Sequence, residues 1–137
     1  MRTHTGTTLS QADRPLVLIV DDSVDVVRLL ALILAETCDV IFATSGAQGL
    51  ELARARLPAL VLLDLEMPGL DGRAVWQLLR EGAATRAIPV VFVSAEDPRH
   101  GPPADPDLQS VGWIAKPFSG LDVQAAVRAR LAGETLP

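Results

Sequence analysis

The chain lacks most of what a crosslinked, membrane-bound or nucleic-acid-binding protein is built from. Its one cysteine, Cys38, cannot form an internal disulfide, and nothing else in the sequence points to an oxidising compartment, so the cytoplasm is the expected location. Apolar runs are far too short to span a bilayer, and the opening stretch Met1 to Arg14 is polar, with no hydrophobic segment of the kind a signal peptide or anchor needs. Lys and Arg are outnumbered by Asp and Glu, leaving a formal charge of −5, which argues against a broad nucleic-acid or anionic-membrane surface and in favour of protein partners. The two histidines, His4 and His100, fall in the polar opening stretch and in a proline-rich stretch, where they read as surface residues rather than metal ligands or phosphodonors. No internal repeat is present.

What is there is an ample supply of core. Apolar residues make up 49% of the 137 positions, and the length suits one domain, expected over residues 15–132 between a disordered tail at 1–14 and a short one at 133–137. Five short apolar segments of strand length recur: Leu16 to Val20, Val40 to Ala43, Leu60 to Leu63, Val90 to Val93 and Trp113 to Ala115. Between them lie stretches with helical spacing. In Val24 to Glu36, Val27, Leu30 and Leu34 share a face beside Val24; Ala47 to Arg56, Gly72 to Arg80 and Leu121 to Leu131 read the same way, with Ser23, Asp71 and Ser119 placed to cap three of the four. Strands that are apolar on both faces and alternate with helices belong in a parallel sheet covered on each side, an α/β sandwich. Pro98, Gly101, Pro102, Pro103 and Pro106 crowd the stretch between the fourth and fifth strands, so the helix due there is expected to be degraded. Trp76 falls off the face made by Val75 and Leu79, which leaves it a candidate exposed aromatic at a partner site. Cys38 reads as a small packing residue.

In a parallel sheet every strand ends on the same edge, and ligands bind outside those carboxyl ends. The residues that follow the strands are Asp21 and Asp22, Thr44 and Ser45, Asp64, Ser94, and Lys116 with Pro117. Three carboxylates, a hydroxyl and an ammonium thus converge. Three carboxylates held together repel one another unless a cation intervenes, and an all-oxygen donor set without a His or Cys cluster favours Mg²⁺, with Mn²⁺ a possible substitute. Lys116 supplies a second positive charge for phosphoryl oxygens and Ser94 a neutral donor, which leaves Asp64 as a nucleophile able to form an acyl phosphate. A backbone carbonyl after Asp64, that of Glu66, is placed to complete the metal shell. Pro68 and Gly69 fit a tight turn in the same loop.

These residues carry a close resemblance to the response regulator receiver domains of two-component signalling and phosphorelays, over Leu16 to Leu131. The matching components are Asp21-Asp22, the run Leu63-Asp64-Leu65-Glu66-Met67-Pro68-Gly69-Leu70-Asp71-Gly72, Ser94-Ala95 and Lys116-Pro117-Phe118. The resemblance implies a doubly wound, flavodoxin-like sheet of five parallel strands in the order 2-1-3-4-5. It implies Asp64 as phosphoacceptor, Asp22 as a direct metal ligand and Asp21 as one acting through water, Ser94 as a hydroxyl switch, Lys116 as the phosphate-binding lysine, and a cis bond before Pro117. Its donor would be a histidine kinase or histidine phosphotransfer protein, and its product an aspartyl phosphate, made and removed by the domain's own chemistry in a signalling rather than a metabolic role.

Three positions depart from the family pattern. Trp113 stands where the family usually carries a Tyr or Phe that turns inward on phosphorylation, so it reads either as a switch or as an aromatic packed at a strand edge. The proline-rich stretch replaces much of an output face. Glu66, two residues after the phosphoacceptor, sits where a side chain influences access of the hydrolytic water. Only 21 residues follow Lys116 (137 minus 116), room for one helix and a short tail, so the output is expected to be binding to a downstream protein. Two other readings compete: a receiver-like adaptor that is never phosphorylated, against which the complete acidic set and Lys116 count, and an aspartate-nucleophile phosphatase, suggested by Asp64-Leu65-Glu66, although those enzymes place their paired acids after the first strand and the pair there in this chain, Asp21-Asp22, is adjacent.

Overall fold

The computed structural model describes residues 14–97 and 111–133. Outside them lie the expected tails except for Arg14 and Gly133, the prolines expected to degrade a helix, and both histidines. In chain order the elements are β1 (Leu16–Val20), α1 (Val24–Leu34), β2 (Asp39–Ala43), α2 (Gly46–Arg56), β3 (Leu60–Leu63), α3 (Gly72–Glu81), β4 (Val90–Ser94), β5 (Gly112–Ala115) and α4 (Gly120–Leu131). The strands form one sheet in the order β2-β1-β3-β4-β5, every neighbouring pair parallel. This is the flavodoxin-like arrangement that the resemblance implied.

Strand side chains alternate between the two faces, and the alternation sorts the core into two layers. Leu18, Val20, Val61, Leu63, Val90 and Phe92 meet Leu50 and Ala53 of α2 and Val75, Trp76 and Leu79 of α3. On the other face Val17, Ile19, Leu60, Leu62, Val91 and Val93 meet Val27, Leu30 and Leu34 of α1 and Val123, Ala126 and Val127 of α4. β1, β3 and β4 are buried almost completely, whereas β2, at the sheet edge, leaves Phe42 exposed. Cys38 is buried in the second layer.

Local chemistry fixes where the helices begin. Ser23, Ser45, Asp71 and Ser119 each accept a hydrogen bond from the backbone N–H three residues on, and Asp122 returns the favour to the Ser119 N–H in a capping box. The chain turns just beyond α1, where the Thr37 and Cys38 N–H groups donate to the Leu34 carbonyl. Arg14 ties down that turn: its guanidinium donates to the carbonyls of Ala35, Glu36 and Cys38 and to Asp39 Oδ1. The residue that closes the expected N-terminal tail therefore fastens the connection from α1 to β2.

Trp76 corrects the sequence reading. It is buried in the layer that covers the sheet, beside Thr85, Ile88, Val90 and Val111, with the Arg80 guanidinium 4.7 Å from the ring centroid. It is a core residue and presents no exposed aromatic to a partner.

Candidate functional site

The carboxyl ends of β1, β3, β4 and β5 bring together Asp21, Asp22, Asp64, Ser94 and Lys116. The ladder holds them in place: Asp64 N–H donates to the Val20 carbonyl at 2.9 Å, Asp21 N–H to the Ala43 carbonyl at 3.1 Å and Lys116 N–H to the Ser94 carbonyl at 3.0 Å. Oxygen atoms from Asp21, Asp22 and Asp64 all lie within 4.8 Å of one another. Asp21 and Asp64 are buried, Asp22 is exposed and Ser94 is buried at the last position of β4. Thr44 and Ser45, at the end of β2, serve α2 instead: Ser45 caps it and the Thr44 N–H bonds Gln48.

The Lys116 ammonium stands between two of the acids, 2.9 Å from Asp21 Oδ2 and 3.5 Å from Asp64 Oδ1. Asp21 Oδ1 takes the Ser23 N–H at 2.9 Å, and the Glu66 N–H approaches Asp64 Oδ1 at 3.4 Å. Burial, followed by the negative charge of Asp21, pushes the Asp64 carboxyl up from 3.8 to about 6, against the pull of Lys116 and of the Glu66 N–H, with Asp22 adding to the rise. For Lys116 burial works downward, but the hydrogen bond and charge of Asp21, joined by Asp64, outweigh it and hold the ammonium above its ordinary value. One lysine charge does not neutralise three clustered carboxylates. The oxygen-only donors, the clustering within 4.8 Å and the raised Asp64 pKa together fit a hard divalent cation.

The loop after Asp64 is pinned close to the site. Gly72 N–H donates to the Leu65 carbonyl at 2.9 Å, and a Cβ at Gly72 would lie 2.2 Å from the Asp64 carbonyl oxygen, so only glycine allows α3 to start there. Glu66 is exposed, and with Arg73 and Glu96 it lines an open groove of about 500 Å³ beside Asp64. Trp113 is half-buried, its indole N–H 3.1 Å from the Ser94 carbonyl oxygen, and the Lys116–Pro117 peptide is cis.

Sequence reasoning brought every acid of the site to the right edge but missed the direct ion pair between Lys116 and Asp21. It also passed over Arg73 and Glu96 in the groove wall. A signal for the first was available: Lys116 is the chain's single lysine among 12 basic residues. Where arginine serves every other cationic position, a lone lysine at a strand end marks a need for a compact point charge.

A family model described as the response regulator receiver domain matches residues 17–128. Among curated proteins the chain is similar to Protein PilH of Pseudomonas aeruginosa, 33% identical over 118 residues that cover 85% of this chain and 98% of that protein. It is also similar to Response regulator PleD of Caulobacter vibrioides, 37% identical over 114 residues, 82% of this chain; it spans only 25% of PleD's length. Among solved structures, a putative response regulator from Chloroflexus aurantiacus superposes with a TM-score of 0.77 at 28% identity, over 87% of this chain and 98% of that one.

Proposed function

The chain belongs to the response regulator receiver domain family of two-component signalling, and from that premise we propose that Asp64 is its phosphoacceptor, within a receiver unit spanning residues 15–132. The observation that carries this reading is the clustering of Asp21, Asp22 and Asp64 oxygens within 4.8 Å, with Lys116 bridging Asp21 and Asp64 at 2.9 and 3.5 Å. Receiver domains are phosphorylated by histidine kinases or phosphotransfer proteins and bind Mg²⁺ at an acidic pocket; here Asp22 and Asp64 would be direct ligands together with the Glu66 carbonyl, and Asp21 a ligand through water. A bound Mg²⁺ supplies charge neutralisation for the carboxylates and for phosphoryl oxygens.

A carboxylate oxygen of Asp64 attacks phosphorus in line, the phosphorus–nitrogen bond of the phosphohistidine breaks, and the imidazole leaves with its electron pair and takes up a proton. The product is an acyl phosphate on Asp64. Lys116, freed from sharing its charge with the ionised Asp64, turns to a phosphoryl oxygen, and the Ser94 hydroxyl donates to another. Water later attacks phosphorus and releases inorganic phosphate, with Glu66 flanking its path. Phosphorylation adds nearly two negative charges at one spot, and the state that binds them best gains population. The readout is altered binding of a downstream protein.

The phosphodonor must bring its imidazole to the mouth where Asp22 is exposed, and α1 starts two residues beyond it. Val24 is exposed beside that mouth, and Leu29 and Leu32, further along α1, are exposed too, apolar side chains that the donor protein would cover as it docks along the helix. Among the described residues no helix is long and apolar enough to cross a membrane. The adaptor alternative is less well supported, because a fold retained without the chemistry has no need of three clustered carboxylates and a lysine that burial disfavours. Incubation with Mg²⁺ and radiolabelled phosphoramidate tests the choice: a label removed by hydroxylamine and absent with chelator supports an acyl phosphate, and no label under either condition favours the adaptor.

A further inference from the structure

β5 lies beside β4 with Trp113 opposite Phe92 and Ala115 opposite Ser94. Trp113 therefore projects on the same sheet face as Phe92 and packs against the buried layer that contains it. From there the indole reaches along the strand, and its N–H donates to the Ser94 carbonyl at 3.1 Å. That carbonyl also accepts the Lys116 N–H at 3.0 Å. A carbonyl oxygen has two lone pairs, so both are engaged, one by the residue that carries the phosphate-binding ammonium and one by Trp113. The Ser94 hydroxyl, on a residue only 2% exposed, accepts the Glu96 N–H at 3.2 Å.

We propose that Trp113 is a positioning residue that acts as a fixed latch: its indole N–H holds the carboxyl end of β4, and through it Ser94 and Lys116, in the geometry that receives the phosphoryl group. The proposal rests on the receiver reading of the site. A phenylalanine has no donor, and a tyrosine carries its hydroxyl at the far end of the ring, so neither can make this bond from the same ring position. An inward swing of the ring would break a part-buried hydrogen bond and leave one lone pair of a buried carbonyl unsatisfied. Trp113 thus stays in place as the site fills, and the Ser94 hydroxyl, which accepts from the Glu96 N–H, keeps its own hydrogen to donate to a phosphoryl oxygen.

The test uses Trp113→Phe and the phosphoryl mimic beryllofluoride. In calorimetric titrations the substitution should weaken beryllofluoride binding at saturating Mg²⁺ by about three- to tenfold, the worth of one hydrogen bond, and leave Mg²⁺ affinity unchanged. A merely structural role would move both, or neither. Independently of any substitution at 113, the two indole N–H resonances of the ¹⁵N-labelled protein, assigned with Trp76→Phe, should show the Trp113 proton protected from exchange before and after beryllofluoride binds. Equal beryllofluoride affinity in the variant, parallel loss of Mg²⁺ affinity, or a Trp113 proton that becomes rapidly exchanging on binding overturns the latch. Failure of the unmodified protein to bind beryllofluoride would overturn the receiver reading and the positioning role together, a result distinct from loss of the latch alone.

Discussion

Replacing Asp64 with Asn should make the metal-free protein more stable while removing its chemistry. The carboxyl of Asp64, 6% exposed, is raised from 3.8 to about 6 by burial and by the charge of Asp21. The folded protein therefore holds that proton more tightly than the unfolded chain, and the linkage sign follows: stability falls as pH rises through the window from about 4 to about 6, and the loss is complete above it. Each tenfold change in proton affinity corresponds to about 1.4 kcal/mol, so the ionised side chain costs the fold roughly 3 kcal/mol. Asparagine has the same shape and no charge. It forfeits the 3.5 Å attraction to Lys116, which keeps Asp21 at 2.9 Å, so the net gain is smaller than the full cost. We expect urea unfolding in chelator to show the variant about 1–3 kcal/mol more stable at about pH 7.5, with the difference closing towards zero at about pH 4. A variant that is less stable at neutral pH, or a difference that does not change with pH, would refute the reasoning that burial and Asp21 strain the Asp64 charge.

Adding Mg²⁺ should raise the thermal midpoint of the parent, more at about pH 8 than at about pH 5, because the ion binds the ionised carboxylates of the folded state; an equal rise in Asp64→Asn would count against a site built on that side chain. Lys116→Met should destabilise the metal-free protein by about 2 kcal/mol in chemical denaturation, since Asp21, 1% exposed, loses its cation, and should slow phosphoryl acceptance in the same preparation. Arg14→Ala should cost about 1–2 kcal/mol by freeing the carbonyls of Glu36 and Cys38 in the turn after α1, and should leave the phosphorylation rate unchanged because Arg14 lies at the opposite edge of the sheet.

Much of this molecule is legible in its sequence. The strands are short apolar runs bounded by polar residues, and β1, β3 and β4, buried on both faces, cannot be written in any other way. Because parallel strands end together, placing the strands placed Asp21, Asp22, Asp64, Ser94 and Lys116 at one edge without any contact being known. What escaped depends on neighbours that periodicity does not see. Trp76 looked exposed because the pattern of α3 counts one buried face, and residues outside that helix, Thr85, Ile88 and Val111 among them, lie against a second. Arg14 looked like tail because its role is to meet the carbonyls of Ala35, Glu36 and Cys38, which chain turning brings back to it. Phe42 lies within the apolar run Val40 to Ala43 and is nonetheless exposed, because β2 ends the sheet. The hydrogen bond from Trp113 to Ser94 belongs to the same class, set by the register of β4 against β5.

The most direct test of the account is intact-protein and peptide mass spectrometry after incubation with Mg²⁺ and acetyl phosphate, comparing the parent with Asp64→Asn. The account expects the mass of a single phosphoryl group on the parent, located in the peptide that contains Asp64, and none on the variant. A phosphoryl group that persists in the variant, maps to another residue, or never forms on a parent that binds Mg²⁺ would contradict it.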